Sequence, residues 1–340
     1  MDARGWTRPT IARRADRIGL DAGMRLVTSP QPAHASGTFA IGGDLPVHRL
    51  GYGAMQILGE GRWGEPADHV GAIAVLRRAV ELGVDFIDTA DSYGPFVSED
   101  LIREALHPYR HVRIATKAGF TRQGPHQWTV VGHPAYLRQC AEMSLRRLGV
   151  ETIDLYQLHR IDPDFPLQDQ LGVFADLVRE GKVRHVGLSE VTVDELRAAQ
   201  DIVPIATVQN LYNVANRQSE ALLQHCEAHG IGFIPWFPVA SGQITAPDGP
   251  LGAIAGRTGT GAAQLSLAWL LHRSPVILPI PGTKSLAHVE DNCRAAEVVL
   301  DDATYAEMDA LATPWPDQDH RHAEPPGVRP GPPGAVGAPG

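Results

Sequence analysis

The sequence predicts an α/β protein of the (β/α)8 TIM-barrel class with an N-terminal β-hairpin. Three observations carry that expectation. Short β-prone segments alternate with amphipathic helical stretches eight times over about 250 residues, the length of one such barrel. Polar, chemistry-bearing side chains follow successive strands, as at the end of a barrel where active sites sit. A doubly wound open sheet, the competing arrangement, normally carries a G-x-G-x-x-G turn after its first strand, and LGYGAM at 50–55 is too short to hold one.

Two β-prone runs between Thr38 and Gly53 flank Gly42 and Gly43, a hairpin turn signal. Strands are expected at 49–52, 84–87, 111–116, 153–158, 183–188, 206–209, 231–235 and 276–280. Helices are expected at 68–82, 98–107, 135–148, 168–180, 193–200, 219–229, 260–273 and 285–297. The helical reading rests on apolar residues three and four apart, as in Ile73, Leu76 and Val80, or Leu137, Ala141, Ser144 and Leu148. Gly83, Gly149, Gly181 and Gly230 each follow a helix and suit the left-handed residue that stops it. Thr192 and Glu195 have capping-box spacing.

The chain's ends differ in composition from its middle. Residues 1–35 carry six Arg in the first 25 positions without sustained periodicity, and are expected to be a disordered extension. The barrel is expected over 36–316. Residues 317–340 are expected to be a disordered tail, since eleven of the sixteen residues from Pro325 to Gly340 are Pro or Gly. Hydrophobic content of 43% suffices for a core, and a net charge of −9 argues against a nucleic-acid surface. The three cysteines are widely spaced, suggesting neither a disulfide framework nor a zinc site and fitting a reducing cytoplasm. The fifteen histidines show no HExxH spacing, so no metal is expected. No apolar run approaches the roughly 20 residues needed to span a bilayer.

The stretch GVDFIDTADSYG at 83–94 delivers Asp88 and Tyr93 after one strand. Lys117 follows the next, and His159 the one after. Ser189 and Glu190, Gln209, Trp236, and Gly282-Thr283-Lys284 follow later strands. A carboxylate, a phenol, an amine and an imidazole on three successive strands point to a site, because a lone polar strand end is common and this set is not.

FIDTADSYG, IATKAGF, DLYQLHRID, HVGLSEV, VQNLYN and ILPIPGTKSLAHVEDN occur in this order between residue 37 and about residue 300. In these motifs the chain resembles the aldo-keto reductases, NAD(P)H-dependent barrels that reduce carbonyls. The resemblance implies that Tyr93 is the general acid, that Lys117 lowers its pKa, that Asp88 holds Lys117, and that His159 positions the substrate oxygen. It implies that Ser189, Gln209 and Trp236 bind the nicotinamide, that Gly53, Ala54 and Met55 lie close to the cofactor, and that Glu190, Phe237 and Pro238 also belong to the cofactor site. Glu190 departs from the Asn common there, and an ionised Glu cannot donate a hydrogen bond.

Gly282-Thr283-Lys284-Ser285 opens a helix, whose free N–H groups suit a phosphate. With His288 where the family often has an Arg, and Asp291 and Asn292 toward the adenine, the expectation is NADP(H) in preference to NAD(H). Tyr52, Gln56, Trp63, Phe120 and Trp128 are candidate walls for a small carbonyl substrate, the last two in a loop over 118–134. The sequence leaves the oligomeric state unread. Two further roles stay open: a cofactor-binding regulatory subunit of a channel with little turnover, and alcohol oxidation in the reverse direction.

Overall fold

In a computed structural model of the chain, which describes residues 31–239 and 246–312, the backbone starts with a 3-10 turn at Pro32–Ser36. Two antiparallel strands follow, β1 (Thr38–Ile41) and β2 (Leu45–His48), joined through Gly42 and Gly43 at φ 62° and 86°. The first turn corrects the expected boundary at residue 36. Ala33 is fully buried and its N–H donates to the Leu82 carbonyl at 3.1 Å, so 32–35 belong to the folded unit. The rest of the expected extension, and all of the expected tail, lie outside the described residues.

The site-bearing sheet alternates with helices. Its strands are β3 (Tyr52–Gly53), β4 (Phe86–Asp88), β5 (Arg113–Ala118), β8 (Ile153–Leu158), β9 (Val183–Ser189), β10 (Ile205–Leu211) and β11 (Gly232–Trp236), all parallel and hydrogen-bonded in that order. Between β5 and β8 an antiparallel pair intervenes, β6 (Phe120–Gly124) and β7 (Gln127–Val130). The helices are α1 (His69–Glu81), α2 (Val97–Leu106), α3 (Pro134–Leu148), α4 (Leu167–Arg179), α5 (Val193–Gln200), α6 (Glu220–His229), α7 (Pro250–Thr258), α8 (Ala262–Arg273), α9 (Leu286–Arg294) and α10 (Asp302–Asp309). The four glycines expected to stop helices have φ of 94°, 71°, 74° and 65° at Gly83, Gly149, Gly181 and Gly230. The Thr192–Glu195 capping box forms at the start of α5.

Three expectations need correction. Residues 118–134 are not a plain loop, because β6 and β7 pair there. Helices α7 and α10 were not anticipated; each is short, with only Leu251 and Ile254, or Met308, buried. The strand expected at 276–280 does not run as a regular ladder. Its backbone still bonds to both edges of the sheet: Leu278 N–H donates to Phe233 O at 2.8 Å, and Gly51 N–H donates to Pro279 O at 2.9 Å. Pro279 and Pro281 have no N–H to return to β3, so alternate rungs are missing.

Side chains close what the backbone leaves open. The Arg49 guanidinium donates to the carbonyls of Ile277, Leu271 and Ser274 at 3.2, 2.6 and 2.9 Å. A compact apolar cluster joins Ile41, Leu45 and Val47 of the first pair to Phe86, Leu155 and Ile234 of the parallel strands. Larger clusters lie between the sheet and its helices, with Tyr156, Phe174, Phe233 and Trp269 at their centre.

The seam near β3 needs residues without side chains. A Cβ on Gly51 would sit 2.8 Å from the Phe86 carbonyl oxygen and 2.9 Å from its ring. Gly51→Ala should therefore cost about 1–3 kcal/mol as an overpacked contact, a fall in Tm of about 3–10 °C for a domain of this size. Thermal denaturation of the purified variant reads this directly, and an unchanged Tm would mean that β3 can separate from β4 freely.

Candidate active site

The parallel strands end together, and at their ends lies a buried ion pair. Lys117, near the end of β5, is fully buried and donates to Asp88 Oδ1 at 2.5 Å and to the Thr89 carbonyl at 2.8 Å. Asp88, the last residue of β4, receives two more donors on Oδ2, from Gln157 of β8 at 2.9 Å and Gln209 of β10 at 3.0 Å. An unpaired charge at this depth would be costly. Burial acts to lower the Lys117 pKa, but the Asp88 charge and Tyr93 outweigh it and hold the amine above the ordinary lysine value. Lys117 is thus a fixed cation beneath the cleft rather than part of its wall.

Tyr93 and His159 face that cation. Lys117 Nζ lies 5.2 Å from the centre of the Tyr93 ring, and the Tyr93 and His159 rings meet edge to face at 5.9 Å. Burial pushes the Tyr93 phenol above its ordinary value; Lys117 opposes the rise and Asp88 adds to it. The lowering expected from Lys117 is outweighed, and the phenol keeps its proton at neutral pH. His159 goes the other way. Burial, then Lys117, Arg160 and Arg122, push its imidazole well below the ordinary range, so it is neutral and retains one N–H donor. Ser92 Oγ sits 3.5 Å from His159 Nδ1.

Both groups open into a cavity of about 280 Å³. Of the substrate candidates, Gln56, Phe120 and Trp128 line it. Tyr52 does not: its hydroxyl is buried and donates to the Thr283 carbonyl at 2.5 Å, tying β3 to the start of the last loop. Trp63 does not either. It stands 5.7 Å from the Arg122 guanidinium, which lies 3.6 Å over Trp128 and donates to the carbonyls of Gly61, Arg62, Ser92, Gly124 and Gln127. Arg122 thereby locks the β6–β7 pair against the loop before α1 and the loop carrying Tyr93. Arg62 and Arg160 also line the cavity and were not among the sequence candidates. The HRID motif contained Arg160, but no periodicity marked either residue.

Of the cofactor candidates, Gly53, Met55, Ser189, Gln209, Trp236, Phe237, Pro238 and Gly282 line the same cavity. Ser189 Oγ accepts from Arg160 at 3.0 Å, and Gln209 spends its Nε2 on Asp88, leaving the amide oxygen to accept. Ala54 is buried outside the lining. Glu190 is corrected as well. With φ 54° it turns its carboxylate back onto the sheet, where Oε1 accepts from Leu211 N–H at 2.8 Å and from Trp236 Nε1. An acceptor-only side chain serves that place, since both neighbours are donors. Thr283, Lys284, Ser285, His288, Asp291 and Asn292 lie beyond Gly282, at and after the start of α9. Ser285 caps α9 by accepting from His288 N–H at 3.4 Å, and Lys284 is exposed with no ion pair among the described residues.

Asp91 occupies the buried side of the same loop. Neither of its carboxylate oxygens has a hydrogen-bond partner. Burial, reinforced by Glu99, raises its pKa to about 7; Cys140, the Arg147 charge and the Ser92 N–H oppose the rise, but no donor completes a hydrogen bond to either carboxylate oxygen. A folded-state pKa above the unfolded value of about 3.9 makes a contribution to stability that is fully present below about pH 4. That contribution is lost as pH rises to about 7. Asp91→Asn, neutral at every pH, should melt progressively higher than the parent as pH is raised from 5 to 8, by differential scanning fluorimetry. A constant difference across that range would show that Asp91 does not titrate in the fold.

The profile of the Aldo/keto reductase family matches residues 49–313. An uncharacterized oxidoreductase of Schizosaccharomyces pombe is 50% identical over 282 residues, covering 83% of this chain and 92% of its own. Pyridoxine 4-dehydrogenase of Escherichia coli is 39% identical, covering 82% of this chain and 99% of its own. The crystal structure of an aldo/keto reductase from Klebsiella pneumoniae in complex with NADP and acetate superposes with a TM-score of 0.71 at 29% identity, covering 84% of this chain and 98% of the other. A family match over most of the chain and a relative half identical across four-fifths of it agree with the geometry: the chain belongs to the aldo/keto reductase family of oxidoreductases.

Proposed function

We propose that the chain reduces aldehydes with NADPH, with Tyr93 as the general acid. The observation that carries this reading is the buried Lys117–Asp88 pair beneath a protonated Tyr93 that shares a cavity with a neutral His159. The eight-stranded barrel belongs to the same reading, with 276–280 as the closing strand and the β1–β2 hairpin across its floor.

The cavity suits a nicotinamide. Gly53 and Gly282 present bare backbone to it, and a Cβ on Gly282 would meet the Gly53 carbonyl at 2.6 Å, so side chains are excluded from that part of the floor. Ser189, Gln209 and Trp236 would hold the ring and its carboxamide. The start of α9, with Thr283, Lys284 and Ser285, would hold the phosphate at the adenosine end. When bound, NADPH supplies the hydride. His159 donates its N–H to the carbonyl oxygen and fixes its position. Tyr93 passes its phenolic proton to that oxygen, and the Lys117 ammonium stabilises the phenolate left behind. Solvent then returns the proton.

The raised pKa of Tyr93 keeps in place the proton that reduction consumes, while the ratios of the two cofactor forms and of carbonyl to alcohol set the net direction. One relative is named a pyridoxine 4-dehydrogenase, and a planar pyridoxal-like aldehyde suits the walls of Phe120 and Trp128, whose rings stand 5.5 Å apart. The regulatory-subunit role is not favoured by any contact in the site. Among the described residues, no helix is long and apolar enough to cross a membrane.

Purified protein, NADPH and a panel of aldehydes, followed at 340 nm, test the activity. Tyr93→Phe should reduce turnover by at least about a hundredfold, the scale of general acid catalysis, while NADPH still quenches tryptophan fluorescence. Wild-type rates in that variant would remove Tyr93 from the mechanism. Lys284→Ala should raise the KM for NADPH by about tenfold, the scale of one charged hydrogen bond, with little change for NADH. An equal effect on both cofactors would take Lys284 away from the 2′-phosphate.

A further inference from the structure

Within the site, one strongly basic side chain has no partner. The Arg62 guanidinium lines the cavity together with Tyr93, yet it makes no hydrogen bond or ion pair among the described residues. The other half-buried arginines nearby are engaged. Arg122 is held by five carbonyls, and Arg160 donates to the His159 carbonyl at 2.7 Å and to Ser189. Burial lowers the Arg62 pKa and only Tyr93 resists, so no carboxylate neutralises it. Asp88, the single acid of the lining, is already paired with Lys117. Arg160 also feels the Glu190 carboxylate from outside the lining, so Arg62 is the cation of the lining with no acid set against it among the described residues.

The backbone holds Arg62 in place at some cost. Its φ is 58°, in the left-handed region that side chains avoid. Its N–H donates to Gly59 O at 3.1 Å, while its carbonyl accepts from Gly94 N–H at 3.3 Å and Arg122 Nη1 at 3.0 Å. Gly94 follows Tyr93 directly, which puts Arg62 at the substrate end of the cavity and away from the start of α9.

Resting on the reductase reading above, we propose that Arg62 anchors an anionic group on the substrate, so that the preferred aldehyde carries a carboxylate or a phosphate ester distal to its carbonyl. A planar guanidinium with free N–H groups matches either oxyanion in a two-pronged contact. The aromatic walls then accept the body of the molecule between carbonyl and anion.

The test compares three aldehydes of one shape: 4-formylbenzoate, 4-formylphenyl phosphate and the neutral methyl 4-formylbenzoate. The parent protein should show kcat/KM at least about tenfold higher for one or both anions than for the ester, the scale of one charge-assisted contact. The better of the two anions identifies the group. In Arg62→Gln the anion-to-ester ratio should fall to near one, and Arg62→Lys should restore part of it. As a readout free of turnover, calorimetry should show 4-(hydroxymethyl)benzoate binding NADP+-loaded parent at least about tenfold tighter than Arg62→Gln. Equal use of ester and anions by the parent, or a ratio unchanged in Arg62→Gln, would overturn the proposal and leave the reductase reading standing. Arg62-dependent binding without reduction of any aldehyde would uphold the anion site and overturn the reductase reading instead.

Discussion

The ion pair between Lys117 and Asp88 is the constraint on which the site depends. Two charges removed from water are tolerable only when their remaining hydrogen-bonding capacity is met. Here Asp88 collects donors from β5, β8 and β10, so four strand ends share one carboxylate. Moving any of those strands would leave a buried donor or acceptor empty. The arrangement fixes the strand ends and, with them, the positions from which Tyr93 and His159 enter the cavity. It also sets two opposed electrostatic outcomes within a few ångströms, a phenol that holds its proton and an imidazole that refuses one.

Much of this was legible in the sequence because strands and helices have distinct periods and because strand ends expose their last residues to one shared face. Asp88, Tyr93, Lys117 and His159 could be placed by counting elements. Contacts between loops were harder to read. Nothing in FTRQGPHQWTV marks Arg122 as the residue that stacks on Trp128 and gathers five carbonyls, since its partners are distant in sequence. Glu190 stood out as unusual, but its role as acceptor for Leu211 and Trp236 depends on a left-handed backbone that no pattern announces. Tyr52 and Trp63 have the chemistry of a wall, but strand direction turns Tyr52 into the core, and the loop before α1 sets Trp63 against Arg122. The last segment has the apolar run of a strand, but Pro279 and Pro281 lack the N–H groups that a regular ladder needs.

The walls of the cavity divide the labour of recognition. Gly53, Gly282, Ser189 and Gln209 come from the parallel strands and the segment at their seam, which are rigid by hydrogen bonding. Phe120, Trp128 and Arg62 come from the β6–β7 pair and the loop before α1, which Arg122 binds into one unit. A site built this way can keep its reactive groups fixed while substitutions in the outer unit change what fits against them.

The seam also bears on how the chain finds its fold. Arg49 reaches carbonyls at Leu271, Ser274 and Ile277, the last 228 positions away. Contacts between such distant parts of a chain carry the largest loss of configurational freedom and come late when a topology assembles. A short rung of backbone bonds interrupted by two prolines offers little to offset that loss. A guanidinium that gathers three carbonyls in one step supplies several bonds for a single encounter. Arg49 thus acts as a latch between the residue just after β2 and the end of α8 with the segment that follows it.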